Sequence, residues 1–405
     1  MDRGDARDER EGQEAQLSAR SGFTLAELLI AGTLVLLVMT GLAAVIDPSH
    51  ASSRAQASAT DIRLRLRAAS EAVAADLHGA GSGPVNGVFG RALGGFAPAV
   101  LPFRLGSRGD PPGSARPDAL TVISTAGVGA AAELAAAFVP TAGVAQIAAT
   151  PGCRVGDQSC GVRVGMSVLL VDERGQWDLF TVAAVAGASL GLQPRGTISG
   201  RPFPAGSLLI PVAVVCFSLR AGTSAEGLQL MTGDADQWEL PLVDHLTGLT
   251  FELLGDPVPP RLGSAGGSPR AVTYGPIPPP VGEDNLGDDW PAGENCTFLA
   301  FAGGQSSRML TLASGAAAGL VPLPPASLTD GPWCPDGSAA NRYDADLLRV
   351  RAVRVTIRAE AALAAVRGAD TRLFLNPGSS RDRSGVAADQ GVVIDVVPRA
   401  LQAGR

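Results

Sequence analysis

Serine, histidine and aspartate are the raw material of nucleophilic hydrolysis, and the chain sets all three in apolar surroundings. Ser189 is the centre of "GASLG" (187–191), a G-x-S-x-G match by letter, and Asp244-His245 lies between apolar residues. That motif works only where a strand turns sharply into a helix and lifts the serine above a sheet. Here Leu190–Gln193 reads as strand, and Pro194 and Gly196 follow, so no helix starts after the serine. A turn between two strands accounts for the glycines, and we read Ser189, Asp244 and His245 as structural. Glu283, Asp284, Asp288 and Asp289 in "GEDNLGDDW" carry the hard oxygens that Ca²⁺ takes, but their spacing is not that of an EF-hand, and a solvated loop is the simpler reading.

The five cysteines, Cys153, Cys160, Cys216, Cys296 and Cys334, form no C-x-x-C pair, and only three histidines accompany them, which argues against a zinc site. Outside the cytoplasm, Cys153 and Cys160 can close a small loop as a disulfide, and Cys296 with Cys334 is a second candidate pair. Cys216 is then left over in an apolar, strand-like run and reads as buried. The chain contains no lysine, so no Gly-rich loop carries the lysine of a phosphate-binding P-loop. No cofactor and no metal are expected, and the chain does not read as an enzyme.

One carboxylate has no such simple reading. In "ARSGFTLAELLIA" (19–31), Glu27 is the sole formal charge of the apolar run Phe23–Ile46. At about 1.5 Å per residue, 24 helical residues span roughly 36 Å, enough to cross a bilayer core of about 30 Å. The run is preceded by 22 polar residues with six Asp/Glu against four Arg, only Arg20 lying beside it; no A-x-A cleavage site follows, and Asp47-Pro48 comes instead. The run therefore reads as retained rather than discarded. A carboxylate in hydrocarbon needs a partner. At headgroup depth it would instead complement the positive end of the helix.

Gly22-Phe23-Thr24-Leu25-Ala26-Glu27-Leu28, followed by an apolar helix, resembles the processing site of type IV prepilins and type II secretion pseudopilins. The resemblance implies that a membrane-embedded peptidase cuts after Gly22, that the new amino end at Phe23 is methylated, and that Glu27 pairs with the amino end of a neighbouring subunit during assembly. It implies that Leu25, Leu28, Leu29, Ile30, Leu34, Val35, Leu36, Leu37 and Val38 serve as membrane anchor. The acidic leader departs from the usual basic one. Further along, "VGMSVLLVD", "LPLVDHLTGLTFELL", "LLRVRAVRVTIRAE" and the terminal "VVPRAL" resemble, in order, segments of PilW-like minor pilins.

These residues need elements to position them. Ile62, Leu66, Ala69, Val73 and Leu77 recur at spacings of 4, 3, 4 and 4, one face of a helix over 47–78 that Gly79 and Gly81 end. Residues 79–117, rich in Gly, Pro and Arg, read as loop. "DALTVIST" (118–125) reads as strand, and the Ala-rich stretch after it is open between helix and loop. Dense strand signals fill 161–220, with turns at Asp172–Gly175 and Gly187, and predict a small β unit over 161–211. "GLQLM" (227–231) is expected to form a hairpin with 212–219. Residues 240–254 read as a short helix or turn leading into a strand at Leu249–Leu254, and 255–295 as a Pro/Gly-rich loop. "DLLRVRAVRVTIRAE" (346–360) reads as a strong strand, with Val353, Val355 and Ile357 on one face and Arg354, Thr356 and Arg358 on the other. "GVVIDVVPRAL" (391–401) reads as the last strand.

The expected fold is α+β: a leader over 1–22, a membrane-spanning helix over 23–46, an amphipathic continuation over 47–78, and a mainly antiparallel head over 79–405. The composition, 46% apolar and 18% charged with only 4% aromatics, fits a packed, turn-rich head. A net charge of −7 lacks the basic footprint of a nucleic-acid binder, so Arg63, Arg65, Arg67, Arg349, Arg351, Arg354 and Arg358 read as exposed faces and ion pairs. The resemblance implies a minor pilin, or alternatively a minor pseudopilin of type II secretion. The implied protein is single-pass in the inner membrane, with a periplasmic head. Its partners would be other pilins, the prepilin peptidase and N-methyltransferase, the assembly platform and membrane lipid. A membrane-anchored periplasmic binding protein or enzyme is the alternative from another class.

Overall fold

The computed structural model describes residues 23–82, 98–106, 109–111, 114–125, 130–148, 150–171, 177–195, 202–222, 227–234, 238–255, 261–262, 270–271, 312–313, 319–324, 347, 349–362 and 389–402. The chain divides into two compact units, Met1–Ala59 and Thr60–Arg405.

Helix α1 (Leu25–Gly79) belongs to both units. In the first, Leu25–Ile46 is long and apolar enough to cross a membrane, and none of it is buried. In the second, the helix carries a core stripe. Ile62, Leu66, Ala69, Val73 and Leu77 are each 6% exposed or less and join one cluster with the main sheet. Each such Leu, Ile or Val contributes about 1.5–3 kcal/mol through burial. The helix ends where Gly81 takes a left-handed φ of 68° and donates its N–H to the carbonyl of Ile123 at 2.9 Å.

Sixteen strands are described. Along the chain they are β1 (Val100–Leu101), β2 (Ala119–Thr125), β3 (Ala132–Leu134), β4 (Val144–Ala148), β5 (Ser167–Val171), β6 (Trp177–Ala186), β7 (Ser189–Pro194), β8 (Leu208–Ala221), β9 (Leu228–Gly233), β10 (Glu239–Gly255), β11 (Arg261–Leu262), β12 (Arg270–Ala271), β13 (Leu312–Ala313), β14 (Val321–Pro322), β15 (Val350–Glu360) and β16 (Asp389–Val396). A short helix, α2 (Arg399–Gln402), follows. All strand pairs are antiparallel, and β11, β12 and β13 form a small separate sheet. The fold is thus α+β, with one apolar amino-terminal helix and a large antiparallel sheet.

The main sheet runs β1-β2-β8-β9-β10-β15-β16, with β14 on the far end of β10. The second arrangement is a closed ring. Strand β8 pairs through Leu208–Val212 with β5 and through Leu208–Leu209 with β3, and β3-β4-β7-β6-β5 completes the circuit. The ring has its own core of Phe138, Ile147, Val168, Leu170, Phe180, Val182, Leu190 and Phe203 among others. Phe138 and Phe180 meet edge to face at 5.6 Å. Alternate residues of β5, β6 and β8, namely Leu169, Val171, Leu179, Leu208 and Ile210, point the other way into the main core. Strands buried on both faces explain the unbroken apolar runs "SVLLV" and "LLIPVAVV".

Several expectations are corrected here. The Ala-rich stretch is neither helix nor plain loop: it holds β3 and β4, whose Ala132, Leu134, Ala145 and Ile147 alternate inward. The β unit accordingly draws in strands that lie before residue 161. Residues 240–254 contain no helix. They lie in one long strand, β10, whose pairing with β9 slips at Pro241/Val243 and Val243/Leu246, and His245 takes a positive φ of 54° there. That irregularity broke the period-2 pattern in the sequence. The hairpin partner of β9 is Cys216–Ala221, further along β8 than 212–219. The 79–117 stretch includes the short strand β1.

Candidate functional site

The amino end of α1 is built by four hydrogen bonds. The Thr24 amide donates to Glu27 Oε2 at 2.9 Å, and the Thr24 hydroxyl lies 3.0 Å from the same oxygen as donor. The Glu27 amide is 3.2 Å from Thr24 Oγ1, and the Leu28 amide donates to the Thr24 carbonyl at 3.1 Å. This is a capping box: threonine at the helix cap and glutamate three residues on satisfy each other's backbone donors. The T-x-x-E signal was present in the sequence at Thr24 and Glu27, but it lay inside a motif whose glutamate invites another explanation. Phe23 stands just outside the cap and is 87% exposed. Gly22 lies outside the described residues.

Beyond the cap, Leu25, Leu28, Leu29, Ile30, Leu34, Val35, Leu36, Leu37 and Val38 are each 57% exposed or more. They surround the helix rather than striping it, and a helix apolar on all sides belongs in an apolar medium. Its threonines fit the same setting. The Thr33 hydroxyl donates to the Ile30 carbonyl at 2.9 Å, and the Thr40 hydroxyl donates to the Leu36 carbonyl. Neither needs a solvent partner.

In the second unit the residues that could do chemistry are dispersed. Ser189 opens β7 after the turn at Gly187, and its hydroxyl donates to Gln146 Oε1 at 2.9 Å. Asp244 belongs to β10, where Arg65 of α1 engages its carboxylate while also bonding Asp61 at 3.0 Å. Ser189 lies in β7 of the ring and the Asp244-His245 pair in β10 of the main sheet, so the structure does not bring the three together as a triad. Two arginines of β15 lie in cross-strand ion pairs: Arg354 meets Asp395 at 2.8 Å and Glu252 at 3.3 Å, and Arg358 meets Asp389. Among the described residues no group of three His, Cys, Asp or Glu side chains comes together as a metal site. Glu283, Asp284, Asp288, Asp289, Cys296 and Cys334 lie outside the described residues.

Cys153 and Cys160 form a disulfide on the ring. Within its loop, the Asp157 carboxylate accepts from the amide and hydroxyl of Ser159 and from the Gly161 amide, and these bonds hold it below the usual carboxylate range. Cys216 is a free, buried thiol lying 3.1 Å from Thr121 Oγ1, and burial pushes its titration up, away from a reactive thiolate.

One polar cluster went unread in the sequence. Asp110 accepts from the Arg104 amide at 2.8 Å, from Arg104 Nη2 at 3.0 Å and from Arg116 Nη1 at 3.1 Å, and Arg116 also pairs with Asp118 at 2.6 Å. Burial opposes ionisation of Asp110, but the bonds from Arg104 and Arg116 outweigh it, and its carboxyl titrates below the ordinary range. The cluster pins the loop before β2. Its residues sit in a stretch whose glycines and prolines gave no period from which a contact could be read.

No family model, curated protein or solved structure matches the chain.

Proposed function

We propose that the chain is a minor pilin of a type IV pilus, made as a precursor with a leader over residues 1–22. The observation that carries this reading is the continuity of α1. An exposed apolar half, headed by Thr24 and Glu27 directly after Gly22-Phe23, runs on into a half that carries the core stripe for an antiparallel head. On this reading the helix sits in the inner membrane before assembly and in the filament core after it. The head faces the periplasm, and the protein is the substrate of a peptidase and N-methyltransferase rather than an enzyme itself. Its partners are other major and minor pilins and the inner-membrane assembly platform. Cleavage before Phe23 creates an ammonium in an apolar medium, and a carboxylate one helical turn along is its natural counter-charge.

Mass spectrometry of the mature protein tests the proposal: the expected amino terminus is N-methylated Phe23. A mature chain that retains its leader, or one that begins elsewhere, refutes it. Gly22→Ala is expected to accumulate as the uncut form. Glu27→Ala is expected to insert and be cut but to assemble poorly; normal piliation in that variant would remove the assembly role of Glu27.

A further inference from the structure

We infer that the outer edge of β16 is a strand-accepting surface, and that it takes an extended segment of a different chain with Arg or Lys opposite Asp395 and an apolar residue opposite Val393. Strand β16 ends the main sheet: among the described residues it pairs with β15 and with no strand on its other side. An open edge presents a row of backbone N–H and C=O groups, which proteins commonly blunt with lysine, proline, a bulge or extreme shortness. This strand carries none of these. It is eight residues long, DQGVVIDV, and its register with β15 runs unbroken from Val353–Val396 to Glu360–Asp389. A segment added there would be held by main-chain bonds, with side chains setting its register and identity.

The side chains specify what fits. Glu252, Arg354 and Asp395 stand in one row across β10, β15 and β16. Arg354 meets Glu252 at 3.3 Å and Asp395 at 2.8 Å, so the signs alternate minus, plus, minus, and the next place in the row calls for a cation. The Asp395 side chain is 51% exposed and open to that place. The other acid of the strand, Asp389, is only 11% exposed and is engaged by Arg358, whose stem lies against Gly391. In the neighbouring row Val393, 59% exposed, follows Thr250 and Thr356. On the core side Val392 and Ile394 are only partly buried, and an added strand would cover them. A second copy of β16 does not fit. Laid antiparallel with faces matched, it sets Asp389 or Gly391 against Asp395, and the strand contains no cation to offer in any register.

The inference concerns the head alone and stands whether or not the chain is cut before Phe23. For the test, the full-length protein carries a photoreactive diazirine amino acid in place of Val393, in the cells that make it, and adducts are mapped by mass spectrometry. The expected product joins position 393 to a different chain, at a residue two positions from an Arg or Lys. A ladder inverted throughout, Glu252→Arg with Arg354→Asp and Asp395→Arg, keeps each attraction inside the sheet and reverses the charge that faces the added strand. It is expected to keep the parental urea midpoint and to lower the adduct yield about tenfold. Should the inversion lower the midpoint, Asp395→Asn takes its place, with a loss of about threefold expected. An adduct on a second copy, on another part of the same chain, or on no protein at all overturns the inference. So does a yield that ignores the charge at position 395.

Discussion

Asp110 is the residue on which acid tolerance of the head can be measured. Its side chain is only 6% exposed and meets two arginines that are themselves about one-third exposed. A carboxyl depressed in the folded state adds stability above its unfolded pKa, about 3.9, and that contribution fades as pH falls through the lower folded value. Asp110→Asn is expected to cost about 2 kcal/mol at neutral pH. Urea midpoints of parent and variant should converge at the acid end of a titration; a constant gap across pH would deny the ionised pairing. Asp76 behaves in the opposite sense. Burial on α1 raises its carboxyl, so the charge is carried at a disadvantage in the folded state. Asp76→Asn is expected to raise the urea midpoint at pH 7, and the gain should shrink as pH falls through the raised folded pKa. No gain at pH 7 would show that the ionised acid is compensated.

At the scale of elements, legibility followed periodicity. The α1 stripe was readable because Ile62, Leu66, Ala69, Val73 and Leu77 keep helical spacing, and all five are buried. Strand β15 was readable for the parallel reason: Val353, Val355 and Ile357 alternate with arginines. The Ala-rich stretch concealed β3 and β4, because alanine favours helix intrinsically and only pairing inside the ring overrides that preference. The slip in β10 was hidden as well, since a bulge inserts residues that shift the side-chain period. The disulfide belongs at this scale. It closes a loop across a separation of seven residues on the ring, and the chain-entropy relation gives such a loop about 2.5 kcal/mol. The double variant Cys153→Ser, Cys160→Ser is expected to speed hydrogen exchange in β3–β7 while leaving β15 as slow as in the parent. Equal loosening of both regions would show that ring and main sheet unfold as one.

For the second unit taken whole, the register of β2 on β8 has a direct consequence. Thr125 pairs with Val212, and the ladder continues to Ala119 and Ser218. The two strands are a hairpin whose connection has been opened to admit the ring. Replacing residues 126–211 by a short turn is therefore expected to leave β8-β9-β10-β15 folded, with Leu77 and Val73 still seated. Far-UV circular dichroism and a cooperative urea transition check this. A molten product would mean that Leu169, Val171 and Leu179, which reach from the ring into the main core, are indispensable to it.

Thr33 and Thr40 spend their hydroxyls on the helix's own backbone, and Glu27 is folded onto Thr24. Seen from a neighbouring helix, Leu25–Ile46 is a smooth greased rod with a single handle at one end. Such a rod can slide and rotate against its neighbours at little cost, because leucine and valine surfaces do not distinguish one azimuth from another. Alignment along a bundle of such rods would be set at the handle alone, and undoing that one contact would free the whole length at once.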